Sequence, residues 1–142
     1  MGPNTRTSSR YWRIKETDVV GLCDGVFDLL HYGHVLHLQN CKKLCDVLIV
    51  YVANDIFARR KGKDRPIVGE RARLAMVYSL RCVDHALIND GSVESVNDFQ
   101  PDVYFRNEDY KLDPGLDRSI LLMRMPVYGS TTALIKKIRG EE

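Results

Sequence analysis

The sequence predicts an α/β domain of three layers, α/β/α, built on a mainly parallel sheet. Three observations predict it. Short apolar runs alternate with capped, helix-like segments along most of the chain, the pattern of βαβ units. The run Asp46 to Ala53 is almost continuously apolar, as a strand covered on both faces must be. A glycine-containing turn also joins the first apolar run to the first helical segment. In parallel sheets that edge is where ligands bind.

The elements follow in order. Residues 1–15 read as a flexible arm, with Tyr11 and Trp12 as candidates for docking, and residues 16–142 as a single domain. Asp18 to Cys23 is the first strand. Gly33 to Leu44 is the first helix, with Leu36, Leu38 and Leu44 among its apolar residues. After the strand Asp46 to Ala53, Asn54-Asp55 opens a short helical turn into a basic loop. Gly69 to Arg81 is a second clear helix, its apolar face supplied by Leu74, Val77, Tyr78 and Leu80. Val83 to Ile88 is the third strand. Asn89-Asp90-Gly91-Ser92 then forms a turn and cap before a short helix to Phe99. Pro101 to Arg106 is the fourth strand and Ser119 to Met123 a candidate fifth. Gly129-Ser130-Thr131-Thr132 caps a last helix that ends near Gly140. Crossovers in such a chain are right-handed, with helices on both faces.

Composition limits the function classes. A chain of 142 residues, 44% hydrophobic, reads as one domain with a core of its own. Net charge +2 with 28% charged residues is too balanced to argue for nucleic acid or a membrane surface. No apolar run is long enough to span a bilayer, and Met1 to Arg10 lacks the apolar core of a signal peptide. Cys23, Cys41, Cys45 and Cys82 form no C-x-x-C pair and read as reduced thiols of a cytoplasmic protein. His34, His37, Cys41 and Cys45 share one helical face. Four ligands strung along one straight helix cannot converge on a tetrahedral ion, because successive turns are ~5.4 Å apart. A two-ligand fragment stays open beside the plainer reading of residues flanking the apolar stripe, and no metal ligands are assigned.

The chemistry concentrates in Gly25-Val26-Phe27-Asp28-Leu29-Leu30-His31-Tyr32-Gly33-His34. Two imidazoles three residues apart, with a glycine before the second, stand where a helix begins. A helix N-terminus offers free N–H groups and partial positive charge, which suits a phosphate. Gly33, lacking Cβ, would let an anion approach the backbone. The charge of a triphosphate would favour the imidazolium form of His31 and His34. Arg59, Arg60, Lys61, Lys63 and Arg65 fall within seven positions. They form a candidate anion clamp or a solvated loop. The N-terminus at Gly129, Ser130, Thr131 and Thr132 adds three hydroxyls, suited to phosphate or simply to capping.

G-x-F-D-x-x-H-x-G-H, complete here as Gly25, Phe27, Asp28, His31, Gly33 and His34, resembles the signature of the cytidylyltransferase-like nucleotidyltransferases. With three further segments the resemblance covers roughly residues 18 to 140. It implies a Rossmann-like domain in which His31, His34 and Lys61 are catalytic. Gly25, Val26, Phe27, Asp28, Gly33, Lys63, Arg73, Gly129, Ser130, Thr131 and Thr132 would then bind the nucleotide. Lys61, in its Lys-Gly context, matches the family lysine best, with Lys63 second. Counting back from Val83-Asp84 puts the family arginine on Arg73, as a substrate-binding or structural residue. A surface ion pair on the helix is the plainer alternative. The family glutamate falls on Arg71, with Glu70 one residue early.

The family's Arg-Thr-x-Gly positions hold Met125-Pro126-Val127-Tyr128, so that arginine is absent or replaced by Arg124. Lys61 to Pro66, Pro101-Asp102-Val103, Asp109-Tyr110-Lys111 and Gly129 to Ile138 are similar to the adenylyltransferases of ADP-heptose synthesis. That likeness implies transfer of AMP from ATP, with Mg²⁺, to a heptose 1-phosphate, with Asp55, Asp109 and Tyr110 at the acceptor and a homodimeric assembly. Tyr32 is a further candidate for the acceptor pocket. Asp24-Gly25 is similar to the alcohol-phosphate cytidylyltransferases, which implies CTP with glycerol 3-phosphate or a phosphonate as the alternative. A nucleotide-binding module without catalysis is a third reading, against which the intact His-x-Gly-His weighs.

Overall fold

The computed structural model describes residues 14–141. The expected arm therefore lies outside the described residues, apart from Ile14 and Lys15. Ile14 packs against the core. The elements run β1 Val20–Gly25, α1 Tyr32–Lys42, β2 Val47–Ala53, α2 Asp55–Ala58, α3 Glu70–Tyr78, β3 His85–Asn89, α4 Val93–Phe99, β4 Val103–Asn107, β5 Leu121–Met125 and α5 Thr131–Arg139. A short 3₁₀ turn, Arg59–Lys61, follows α2. Each expected element is present, displaced by a few residues at its ends.

The five strands pair in the order β3-β2-β1-β4-β5, all parallel. Alternation along the strands feeds two cores. Cys23, Leu48, Val50, Val52 and Phe105 face α1 and α3, meeting Leu38, Cys41 and Val77. Val20, Leu22, Ile49, Tyr51 and Tyr104 face the other side and meet Val96 and Phe99 of α4. The sheet is thus covered on both faces, the expected three layers. Two expected packing residues lie outside: Leu44 is exposed beyond the end of α1, and Tyr78 is exposed with its ring edge-on to His85.

The chain starts at β1, moves outward through β2 to β3, then returns to the other side of β1 with β4 and β5. The order reverses between β1 and β4. In an open parallel sheet the connections diverge to opposite faces at such a reversal, leaving a ligand crevice beyond the strand ends.

Candidate active site

Two adjoining cavities open at that edge. The first, about 290 Å³, is walled by the turn after β1, by Lys61 and Arg65, and by the N-terminus of α5. The second, about 230 Å³, is walled by the ends of β1 and β4 and by aromatic side chains. Asp24, Gly25, Val26, His37, Lys61 and Asn107 border both.

The turn from β1 to α1 is tightly wound. Phe27 and Leu29 take positive φ, 55° and 49°, which non-glycine residues adopt only under constraint. The constraint is visible. Phe27 is buried and holds its ring edge against His34, with centroids 5.5 Å apart. The Asp28 carboxylate is buried and accepts from the backbone N–H groups of Ile67 and Val68 at 2.8 and 2.9 Å and from Arg65 Nε at 3.0 Å. Burial alone would raise the Asp28 pKa. The two N–H groups and the guanidinium together outweigh it and hold the carboxyl below its ordinary value. Asp28 therefore straps the basic loop onto the turn.

His31 is the N-cap of α1. Its Nδ1 accepts from Gly33 N at 3.0 Å, and His34 Nδ1 accepts from His31 N at 3.2 Å. With both Nδ1 lone pairs committed to N–H donors, the neutral form of each ring carries its proton on Nε2. The rings lie 3.9 Å apart, tilted by 32°, and both border the first cavity. His31 Nε2 is buried and has no partner among the described residues. His34 Nε2 lies 3.5 Å from Thr131 Oγ1.

The expected imidazolium belongs to a triphosphate-bound site; without a ligand His34 is held in the other state. Burial, reinforced by the charges of His31, His37 and Lys61 and opposed by Asp28, pushes the His34 pKa down to about 4. An imidazolium there would also turn an Nδ1 proton against the His31 N–H. In the ligand-free site His34 is a neutral donor.

Gly33 has a packing reason as well. A Cβ on Gly33 would come within 1.9 Å of the Tyr128 carbonyl oxygen. The glycine makes room for the segment before α5. Gly25 likewise lies close against Phe27, and Asp28 clasps the loop. The motif residues thus have packing roles alongside their place on the cavity wall.

At α5, Ser130 caps the helix by accepting from Ala133 N. The Thr131 hydroxyl donates to the Asp28 carbonyl at 2.8 Å, and Thr132 Oγ1 accepts from Arg65 Nη1 at 3.3 Å. The hydroxyls of both threonines are thus engaged with the turn and the loop. What α5 leaves for an anion is its first N–H groups.

The structure brings most expected residues to the first cavity: Gly25, Val26, Phe27, Asp28, His31, Gly33, His34, Lys61, Asp109 and Gly129 to Thr132. Tyr110 borders the second. Four expected residues stand elsewhere. Arg73 is fully buried, and its guanidinium donates to the carbonyls of Val68, Val26 and Ala53 and to Asp55 Oδ1. It ties three chain segments together and borders neither cavity. Asp55 is occupied by that ion pair, 2.8 Å away. Lys63 borders neither cavity but two other hollows along the basic loop, one of them shared with Lys61, Arg65 and Thr132. Tyr32 is 75% exposed on the outside of α1. The substitute arginine, Arg124, donates to the Tyr110 carbonyl, and Glu70 accepts from Asp55 N.

Sequence reading also missed wall residues. Arg65 was visible as part of the basic run, but its direction depends on Asp28, 37 residues away. His37 borders both cavities. Tyr104 and Arg106 of β4 pair with Asp24, and Arg106 lies over the Tyr110 ring at 4.5 Å. Arg106 and Asn107, with Glu108, stand where related sequences carry Lys-Gly-Gly before Asp-Tyr and were expected to shape the base or sugar pocket, and both border the second cavity. No motif marks Tyr104, for which the alternation of β4 beside β1 was the available signal.

Paired imidazoles, two cationic side chains and two helix N-termini around one cavity have the chemistry to hold an anion such as a phosphate. Similarity to known proteins agrees. The chain belongs to the cytidylyltransferase-like family, whose model matches residues 22–135. It is 36% identical over 128 residues to the bifunctional protein HldE of Helicobacter acinonychis (strain Sheeba), a match covering 82% of this chain and 27% of that protein. It is 37% identical over 124 residues to the HldE protein of a Nitratiruptor species, with the same coverage. The chain thus spans little more than a quarter of the length of these curated relatives. A crystal structure described as the lipopolysaccharide core biosynthesis protein from Thermoplasma volcanium GSS1 superposes with a TM-score of 0.69 at 33% identity, covering 79% of this chain and 99% of that one.

Proposed function

We propose that the chain transfers a nucleoside monophosphate from a nucleoside triphosphate, ATP by preference, to a sugar phosphate of the heptose 1-phosphate kind, releasing pyrophosphate. The observation that carries this is His31 Nε2, a buried donor without a partner among the described residues, beside His34 on the wall of a cationic cavity. A buried unpaired N–H is costly, and a phosphate oxygen would satisfy it. The similarity to HldE proteins favours the sugar-phosphate acceptor.

In this reading an acceptor phosphate oxygen attacks the α-phosphorus in line and the pyrophosphate oxygen leaves. No protein nucleophile is needed, because such transfer runs on positioning and charge neutralisation. His31 and His34 donate from Nε2 to phosphate oxygens, and Lys61 and Arg65 offset the charge of the leaving phosphates. The N-terminus of α5 holds another oxygen through its free N–H groups. The second cavity takes the acceptor, where Arg106 Nε is a buried donor without a partner among the described residues.

Mg²⁺ fits as an ion carried on the nucleotide phosphates. Of the carboxylates on the first cavity, Asp24 and Asp28 are committed to arginines, whereas Asp109 has no protein partner among the described residues. Among the described residues no helix is long and apolar enough to cross a membrane. A homodimer in the cytoplasm is the assembly we propose.

Pyrophosphate release measured with each of four nucleoside triphosphates, against a panel of phosphorylated acceptors, tests the reading. Turnover with ATP and a sugar 1-phosphate is expected. Turnover with CTP and glycerol 3-phosphate only would replace it with the cytidylyltransferase, and no turnover with any pair would leave a binding module.

A further inference from the structure

Beneath the phosphate turn, three soft ligands converge that the proposed transfer does not use. Cys23 comes from β1, on the face covered by α1. His37 and Cys41 come from α1, four residues apart and so on one helical face. Cys23 Sγ lies 3.3 Å from His37 Nε2, and Cys41 Sγ lies 3.8 Å from the same nitrogen. All three ligand atoms lie within 4.8 Å of one another. A tetrahedral zinc ion with bonds of about 2.3 Å to sulfur and about 2.0 Å to nitrogen sets ligand atoms about 3.6 Å apart for S···N and about 3.8 Å apart for S···S. The two S···N separations in the structure fall within a few tenths of an ångström of that edge.

We propose that Cys23, His37 and Cys41 bind one Zn²⁺ ion, pinning β1 to α1 under the catalytic turn. The helix alone cannot close such a site, and the strand supplies the third ligand. Two sulfurs and an imidazole select a thiophilic ion over Mg²⁺ or Ca²⁺, which take oxygen donors. Cys23 and Cys41 are fully buried. Two thiolates balance a divalent ion, so the loaded site is neutral and tolerates burial far better than an unpaired charge. Binding releases the two thiol protons to solvent. Of the three ligands, His37 borders the cavities, so a water or substrate oxygen completes the coordination from that side. His37 Nδ1 is buried without a partner among the described residues, and a second water there would fix the ring. The ordinary use of buried cysteines as small apolar residues accounts for each thiol singly. It does not account for both sulfurs meeting around one imidazole nitrogen.

The proposal stands apart from the nucleotide reading, and its test needs no substrate. The full chain is reduced, stripped with a chelator, and titrated with Zn²⁺ alone, then with Co²⁺ as a spectroscopic stand-in. One zinc per chain retained through gel filtration is expected. The cobalt form should show thiolate-to-metal charge transfer and intense tetrahedral d–d bands. Cys41→Ser should weaken zinc binding by more than about 100-fold, the upper end of what losing an outer-shell partner costs, whereas Cys45→Ser and Cys82→Ser leave it unchanged. Should Cys41→Ser fail to fold, the wild-type cobalt spectrum decides alone. Substoichiometric zinc, a pale octahedral cobalt spectrum, or undiminished affinity in a folded Cys41→Ser protein would each overturn the proposal. So would a Cys23–Cys41 disulfide that forms while the stripped chain takes up no zinc.

Discussion

His31 has two ring nitrogens in different situations: Nδ1 closes the start of α1, and Nε2 is left without a partner among the described residues beside the cavity that the residue borders. The two can be separated by substitution. Asparagine is among the best N-caps but reaches no further than the backbone. His31→Asn is therefore expected to keep the melting temperature within a few degrees while lowering kcat by about 10²–10³-fold, the usual cost of one lost transition-state donor. Calorimetry beside pyrophosphate release measures both. Asp28 is the opposite case, since its carboxylate is consumed within the protein. Asp28→Asn leaves Arg65 without its ion pair and turns an amide donor toward two N–H groups, at a cost of about 3 kcal/mol in urea unfolding. The sign of the pH dependence follows from the lowered pKa. A carboxyl whose folded pKa is depressed contributes stability above its unfolded pKa and loses it as pH falls through the folded one. The gap between wild type and Asp28→Asn should hold at neutral pH and close below about pH 4.

At the scale of elements, α3 is anchored by the buried guanidinium of Arg73. Its donors go to the turn after β1, the end of β2, the segment before α3 and the first residue of α2. Arg73→Met strands backbone carbonyls and the Asp55 carboxylate, and is expected to cost about 3–5 kcal/mol, more than about 10 °C in melting temperature. The KM for nucleotide, measured on the folded fraction, should stay near wild type. A large rise in KM at unchanged stability would instead make Arg73 a nucleotide ligand.

The same element shows what sequence could and could not tell. Strand and helix order was legible because apolar runs, caps such as Asn54, Ser92 and Ser130, and the αL glycine Gly140 act over a few residues. The imidazole pair was legible for the same reason. The fate of Arg73 was not, since a Glu-Arg-Ala-Arg string reads equally as a surface ion pair. Its burial depends on carbonyls 20 and 47 residues away. The direction of Arg65 and the partners of Cys23 were obscured likewise, because each takes its role from another segment.

For the molecule as a whole, His34 gives stability a slope with pH. Its native pKa, about 4, is below the ordinary 6.5 of the unfolded chain. The unfolded state therefore binds the extra proton between those values, and stability falls as pH drops from 6.5 toward 4. The full difference is worth roughly 3–4 kcal/mol before screening, and less once the partly exposed ring is screened by solvent at the cavity mouth. Chemical unfolding from about pH 8 to about pH 4.5 should show this decline, and His34→Gln should flatten it while also losing part of the α1 cap. An unchanged slope in the variant would assign the decline to another group.

The Tyr128 carbonyl lying where a Cβ of Gly33 would stand has a consequence for synthesis. The pocket's floor leaves the ribosome long before its lid. A nascent chain ending at Met125 would hold all five strands and yet have neither α5 nor the carbonyl that seats against the glycine. In the proposed reading the anion cavity is therefore completed only with the segment after β5, once the sheet already has its full complement. Translation that stops between β5 and α5 would leave all five strands but a cavity without its α5 wall.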